Sequence, residues 1–335
     1  MKALVTGGGG FLGSTIVRKL IERDDEVSTL QRGDYPHLRE MGVTCHRVEL
    51  GRAPDGELVP IVEGSDVVIH TAAKAGVWGS HDEYWWPNVK GTTSLLHACS
   101  VTGVKHFVYT SSPSVAFHGK DESGVDESIP YPDRYLTHYP ATKAEAEKHV
   151  LAQPQEKLAT VALRPHLIWG PRDPHLVPRV IERAKAGKLK LVGSGQNLVD
   201  STYVDNAADA HILAADKLLA KGSNAACAGK AYFISNDEPV AMAELLNRIL
   251  AAGGLPPVTR SVSPGVAYAA GAILESVYKL LRKKKEPIMT RFVAKQLSTA
   301  HWFDLTGAKR DLGYNPAVSI DQGMAQLSQW LQTTN

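Results

Sequence analysis

A strand that runs straight into a glycine turn limits this chain more than any other feature. Lys2-Ala3-Leu4-Val5-Thr6 is a short apolar strand, Gly7-Gly8-Gly9-Gly10-Phe11-Leu12-Gly13 follows without a break, and a helical pattern resumes from Phe11 to about Arg23. Gly-x-x-Gly-x-x-Gly between a strand and a helix is what a dinucleotide site requires. Gly7 permits the tight turn, Gly10 lets the backbone approach a pyrophosphate, and Gly13 allows the helix to pack closely. Phe11 and Leu12 open the helix, where free N–H groups face the phosphates. A flexible glycine turn without ligand would share the composition but has no need of this strand-to-helix setting.

The strands that follow extend the pattern. Glu26–Leu30 ends in Gln31-Arg32-Gly33. A site for NAD places an acidic residue near Gln31 to hold the ribose 2′-hydroxyl, whereas a neutral residue followed by arginine suits a 2′-phosphate, so Arg32 favours NADP(H). The other reading of Arg32 is a solvated turn residue. A third strand is expected at Val43–Val48, with Glu49 and Leu50 lining an adenine pocket, and a fourth at Asp66–His70. Small Ala72 and Ala73 then let a cofactor lie across the strand ends, and His70 reads as a packed, structural histidine. Lys74–Gly79 is a loop at the carboxyl edge of the sheet, where ligands bind in open α/β folds. Asn88 opens a helix to about Thr102, and strand five, His106–Thr110, leads into Ser111-Ser112, a hydroxyl at a central strand end.

Tyr139-Pro140-Ala141-Thr142-Lys143 supplies a reactive pair. Tyrosine and lysine four apart share one helix face, and Pro140 in the first turn needs no donor. A phenol keeps its proton until pH about 10; a cation one turn away favours the phenolate and brings proton transfer within reach.

Composition excludes more than it assigns. Hydrophobic residues make up 43% and charged residues 21%, as in an ordinary globule with ample core. A net charge of +2 gives no field for nucleic acid. Cys45, Cys99 and Cys227 lack C-x-x-C spacing, so they read as reduced thiols of a cytoplasmic protein rather than a metal site. The first strand leaves no room for a leader, and no apolar run approaches the ~20 residues of a membrane span.

The second half reads as strand at Ala159–Leu163, a loop His166–His175 carrying Trp169 and Arg172, helix Leu176–Ala186, a short strand Lys188–Val192, helix Val204–Leu219, strand Ala231–Ile234, a stretch Ala241–Ala252 that begins the C-terminal lobe, and a closing helix Ser319–Leu331. Residues 1–170, rejoined by 200–235, form the cofactor domain; 171–199 and 236–335 form a smaller substrate lobe. In Val266–Leu281, Val266, Ala270, Ile273, Val277 and Leu280 make an apolar stripe that Arg282-Lys283-Lys284-Lys285 follows. It reads either as a lobe helix packed on the core or as a peripheral membrane contact over 266–285, through which a greasy substrate enters.

Taken together, the glycine turn, Asn88-x-x-Gly91-Thr92, Ser111-Ser112 and Tyr139-x-x-x-Lys143 resemble the extended short-chain dehydrogenase/reductase superfamily. Within it, Tyr109–Val115, Leu163–Pro171 and Asn197–Asn206 are similar to the 3β-hydroxysteroid dehydrogenase-like branch. Ala72–Ser80 and Gly229–Asn236 resemble the bacterial reductases of 2-alkyl-3-oxoalkanoates in long-chain olefin biosynthesis. The resemblance implies an α/β fold, a Rossmann doubly wound parallel sheet with a C-terminal substrate lobe, and a catalytic set of Ser112, Tyr139 and Lys143, with Tyr139 as acid/base and Lys143 on the cofactor ribose. It implies NADP(H), a long-chain β-keto acid substrate, and a homodimer through helices near Tyr139, with olefin-pathway enzymes as further partners. Glu49 stands where the superfamily commonly has aspartate. Lys74 and Arg172 are candidate partners for a substrate carboxylate, and Trp78, Ser112 and Trp169 border the same space. A 3β-hydroxysteroid or sterol-4-carboxylate 3-dehydrogenase would use the same set. A nucleotide-sugar epimerase fits less well, since Leu198-Val199 stands where a cation is needed near Asp200, and a non-catalytic NADP sensor would usually lack the tyrosine or lysine.

Overall fold

The computed structural model describes residues 1–334. Seven strands, β1 (Lys2–Thr6), β2 (Glu26–Gln31), β3 (Thr44–Arg47), β4 (Val67–His70), β5 (His106–Thr110), β6 (Ala159–Pro165) and β7 (Lys230–Ile234), pair in the order β7-β6-β5-β4-β1-β2-β3, every pair parallel. A parallel sheet is covered on both faces, which is why Val67-Val68-Ile69 and Phe107-Val108-Tyr109 are continuous buried apolar runs rather than alternating ones. The covering helices include α1 (Phe11–Ile21), α2 (Asp55–Val62), α3 (Gly91–Thr102), α4 (His138–Leu151) and α5 (Val204–Lys221). Leu12, Ile16 and Leu20 of α1 and Ala207 to Leu218 of α5 fill one side; Leu58, Leu95 and Val150 from α2, α3 and α4 fill the other. Strand order reverses between β1 and β4, and the crevice at their carboxyl ends is where such sheets bind ligands.

The strands lie within about two residues of their expected limits, but three details differ. The helix expected from Asn88 begins earlier, at His81, where Ser80 and Glu83 form a capping box. A wider π turn, Trp86–Lys90, then carries the chain past Pro87, which has no N–H to give, and leaves Asn88 buried. Of the strand expected at Lys188–Val192 only Leu191–Val192 forms, paired with Ser261–Val262. The C-terminal segment also does not stay in the lobe. His301–Phe303 joins a second sheet with Glu122–Val125 and Leu198–Val199, Phe303 stacks on Phe233 with centroids 4.1 Å apart, and Leu305, Ala308, Leu312 and Tyr314 enter the core of the large sheet. The expected lobe span of 236–335 is thus interrupted.

The lobe core gathers Trp169, Val177, Tyr203, Leu245, Ile249, Ile320 and Leu327. α6 (Pro264–Leu280) and α7 (Arg291–Ser298) pack on each other at its edge. Val266, Ile273, Val277 and Leu280 of the α6 stripe point outward, which overturns the reading of that stripe as packed on the core. Among the described residues no helix is long and apolar enough to cross a membrane.

Candidate active site

The glycine turn is held in a conformation that side chains would block. Gly7 has φ +73°, and a Cβ there would lie 2.9 Å from the Ala72 backbone nitrogen; one on Gly13 would lie 2.2 Å from the Gly7 carbonyl oxygen. The α1 N-cap, Gly10, provides no side-chain acceptor, and the first turn has no acidic residue. The N–H groups at Phe11 and Leu12 therefore keep their anion-binding capacity, and the cradle fits a dinucleotide pyrophosphate. Its two sides are pinned together: Thr71 Oγ1 donates to the Thr6 carbonyl at 2.7 Å and the Ala72 N–H to Thr6 Oγ1 at 3.3 Å. His70 braces the same corner, with Nδ1 2.6 Å from Thr6 Oγ1 and Nε2 2.9 Å from Thr92 Oγ1. Burial, and secondarily the Lys143 charge, push its pKa down to about 3, so the ring is neutral and structural, as expected.

At the far end of the crevice Arg32 is exposed, and its carbonyl accepts a 3.2 Å bond from Nε of Arg47, the last residue of β3. Two guanidinium-bearing residues thus meet where the sequence pointed to one. The Tyr35 ring lies against the turn, 2.2 Å from where a Cβ on Gly9 would be. Glu49 is exposed, while Leu50 is buried against α2 and α3. Ala72 is half-buried and Ala73 open to solvent.

α4 places Tyr139, Lys143 and Glu147 on successive turns. Ser112 leaves β5 in extended backbone, caps a short 3-10 turn by accepting from the Ser114 N–H, and has its hydroxyl 2.9 Å from that of Ser114. Burial raises the Tyr139 pKa, and a hydrogen bond with Ser112 pulls it partly back. The sequence suggested that Lys143 would favour the phenolate; in the structure its ammonium is turned away, donating to the Thr110 carbonyl and lying 4.1 Å over the Tyr109 ring. Tyr139 therefore rests as a phenol, the form that can give up a proton. Burial pushes Lys143 down to about 7, with Glu147 working against that shift.

The sequence does not show how this set is held, although Asn88 already stands in the Asn88-x-x-Gly91-Thr92 pattern. Arg164 of β6 binds Glu147 through Nε at 3.0 Å and Nη2 at 2.6 Å, and Tyr131 donates to the same carboxylate at 2.6 Å. Asn88 accepts from the Lys74 N–H at 2.7 Å and donates to Thr142 Oγ1 at 3.1 Å, tying the Lys74–Gly79 loop to α4.

The expected substrate contacts fare unequally. Trp169 is wholly buried, its indole N–H donating to Ser201 Oγ at 3.0 Å and its ring 5.4 Å from Tyr203. It is a lobe-core residue with no surface left for a ligand, which corrects its assignment. Lys74 is paired with Glu83 and lies 4.9 Å over Tyr84, whose ring centre is 6.4 Å from that of Tyr139. Trp78 donates to the Lys283 carbonyl at 3.0 Å and packs edge-on against Tyr278. Arg172 is exposed at φ +69°.

A dinucleotide cradle at a strand-order reversal, with serine, tyrosine and lysine converging on its crevice, defines a short-chain dehydrogenase/reductase. The solved structure of MoeE5 in complex with UDP-glucose and NAD shares the architecture, with a TM-score of 0.75 and 26% identity over 100% of this chain and 99% of that one. The chain belongs to the 3-beta hydroxysteroid dehydrogenase/isomerase family, whose sequence model matches residues 4–261. It is an oxidoreductase of the nicotinamide-dependent kind that acts on CH–OH and C=O groups. It is 53% identical over 332 residues to the 2-alkyl-3-oxoalkanoate reductase of Shewanella oneidensis, covering 97% of this chain and 85% of that one. It is 51% identical to the enzyme of the same name from Stenotrophomonas maltophilia, covering 98% of both.

Proposed function

We propose that this chain reduces the 3-keto group of long-chain 2-alkyl-3-oxoalkanoic acids to the 2-alkyl-3-hydroxy acids with NADPH, a step of olefin hydrocarbon biosynthesis in the cytoplasm. The observation that carries the reading is the placing of the Tyr139 phenol beside Ser112, which pulls its raised pKa partly back, one helical turn from the buried Lys143. The names of the two bacterial relatives support the substrate class.

When bound, the nicotinamide supplies the hydride. Tyr139 donates its proton to the oxygen of the former ketone, and Ser112 hydrogen-bonds that oxygen where negative charge develops. Ser114 orients the Ser112 hydroxyl. Lys143, whose ammonium sits at the end of β5 on the Thr110 carbonyl, would bind the ribose. Arg32 and Arg47 at the ends of β2 and β3 suit a 2′-phosphate, which supports NADPH over NADH. The reading includes a homodimer through the face near Tyr139, which sedimentation of the purified protein tests.

The deciding experiment is cofactor oxidation with synthetic 2-alkyl-3-oxo acids, run with NADPH and with NADH and compared with 3β-hydroxysteroid oxidation. Turnover of the keto acids, faster with NADPH, is expected. Steroid oxidation without keto-acid reduction overturns the assignment.

A further inference from the structure

α6 is an amphipathic helix mounted with its aliphatic side outward. Its inner face is small or polar: a Cβ on Gly271 would lie 2.6 Å from the Thr290 carbonyl carbon, so the helix rests on the backbone of the next segment. Glu275 fixes the roll about the axis, accepting from the Arg291 N–H at 2.7 Å and Arg291 Nε at 2.8 Å. With Glu275 turned inward, the large aliphatics have no protein to cover them. Ile273 is 64% exposed, Leu280 83% and Ile288 66%, with Val266, Val277 and Leu281 beside them. Large side chains exposed singly are ordinary; a group of this size on one segment marks a surface that meets something apolar. Arg282, Lys283, Lys284 and Lys285 continue the segment, all exposed.

We propose that α6 and the basic turn after it dock the enzyme on an anionic lipid bilayer. An aliphatic face beside a basic cluster supplies the two signals that reversible membrane binding needs, acyl-region burial and attraction to anionic headgroups. A second copy of the chain would cover the aliphatic face but leave the cations unanswered, because the nearby carboxylates are committed, Glu275 to Arg291 and Glu286 to Arg179. An anionic bilayer answers both. The segment also adjoins the reaction site: Trp78, on the loop that Asn88 ties to the catalytic helix, binds the Lys283 carbonyl and packs on Tyr278. A bilayer at α6 thus lies at the mouth through which a long-chain acid, the substrate class of the proposed function on which this point rests, would pass from lipid.

The experiment is sedimentation of the full chain with vesicles of phosphatidylglycerol and phosphatidylcholine in equal parts, against vesicles of phosphatidylcholine alone. It needs no turnover, so its outcome is separate from that of the keto-acid assay. Binding to the anionic vesicles only, weakened by salt, is expected. Arg282→Gln/Lys284→Gln/Lys285→Gln is expected to weaken binding by about tenfold or more, and Ile273→Gln/Leu280→Gln comparably; all five side chains are exposed, so melting temperatures should hold. Absence of wild-type binding, or binding that both variants retain, overturns the proposal. So does a dimer that Ile273→Gln/Leu280→Gln dissociates without any vesicle binding, since a second copy would then be the occupant.

Discussion

Glu147 and Arg164 form a buried two-pronged ion pair, with Nε to Oε2 at 3.0 Å and Nη2 to Oε1 at 2.6 Å, one helical turn beyond Lys143. Its consequence is electrostatic. Lys143 is enclosed, and enclosure disfavours its charge; the Glu147 carboxylate favours it. The ion pair fixes that carboxylate in place, and Tyr131 adds a third bond to it.

Glu147→Gln should therefore move the pH profile of keto-acid reduction. Reduction needs the Lys143 ammonium, so the rate falls as pH rises through the Lys143 pKa of about 7. Removing the carboxylate lowers that pKa further, and the alkaline limb moves to lower pH. Arg164 then loses its partner, at a cost of roughly 3–5 kcal/mol, so stability is followed alongside kcat/KM. Tyr131→Phe removes one hydrogen bond but no charge and should leave the limb in place. A limb unmoved in Glu147→Gln would show that the carboxylate only holds the fold.

Tyr139→Phe should lower kcat by about a hundredfold to ten-thousandfold, the usual worth of a positioned acid, with NADPH affinity nearly unchanged by fluorescence titration. Ser112→Ala keeps the acid but loses a donor to the developing charge, and about a hundredfold is expected. Full activity in Tyr139→Phe would remove the phenol from the mechanism.

What could be read in the sequence was what short stretches dictate. Glycine spacing, the buried apolar runs of β1, β4 and β5 and the Tyr139–Lys143 face all express local backbone periods, and the structure has them within a residue or two. What escaped depends on contacts between distant segments. Asn88 joins a loop to α4, Arg47 meets Arg32 only once β2 and β3 pair, and Glu147 finds Arg164 only across helix and sheet. Trp169 shows the reverse error. An aromatic in a loop beside the site is expected to face ligand, yet the lobe encloses it and Ser201 takes its N–H. The α6 stripe had the right period, but a period does not say which way a face points; Gly271 and Glu275 decide that.

Arg32→Ala and Arg47→Ala test the cofactor preference. A guanidinium on a phosphate makes charge-assisted hydrogen bonds worth about 1.5–3 kcal/mol. Each variant should therefore raise the KM for NADPH about tenfold to a hundredfold and leave that for NADH nearly constant. Equal effects on both cofactors would mean that these side chains hold the strand ends rather than read the 2′ position.

Acid stability should depend on two buried histidines outside the catalytic set, His166 and His211, the second of which lies 2.8 Å from Thr110 Oγ1. Burial pushes His166 down to about 3 and His211 to about 4, from an ordinary value of 6.5. A folded value below the unfolded one means that the unfolded chain takes up the proton first, so stability is fully present above about 6.5 and is lost as pH falls toward about 4. The loss is about 1.4 kcal/mol per pH unit for each histidine. Asp200 works in the opposite direction. Burial raises its carboxyl to about 7, so the folded chain binds that proton first and gains stability as pH falls. Because the signs differ, the comparison between variants carries the information. His166→Asn and His211→Asn will each lose some stability at neutral pH, but each should flatten the decline between about pH 6 and 4 relative to wild type, measured by urea unfolding at stepped pH. Parallel declines in all three proteins would mean that both rings already carry a proton in the folded state.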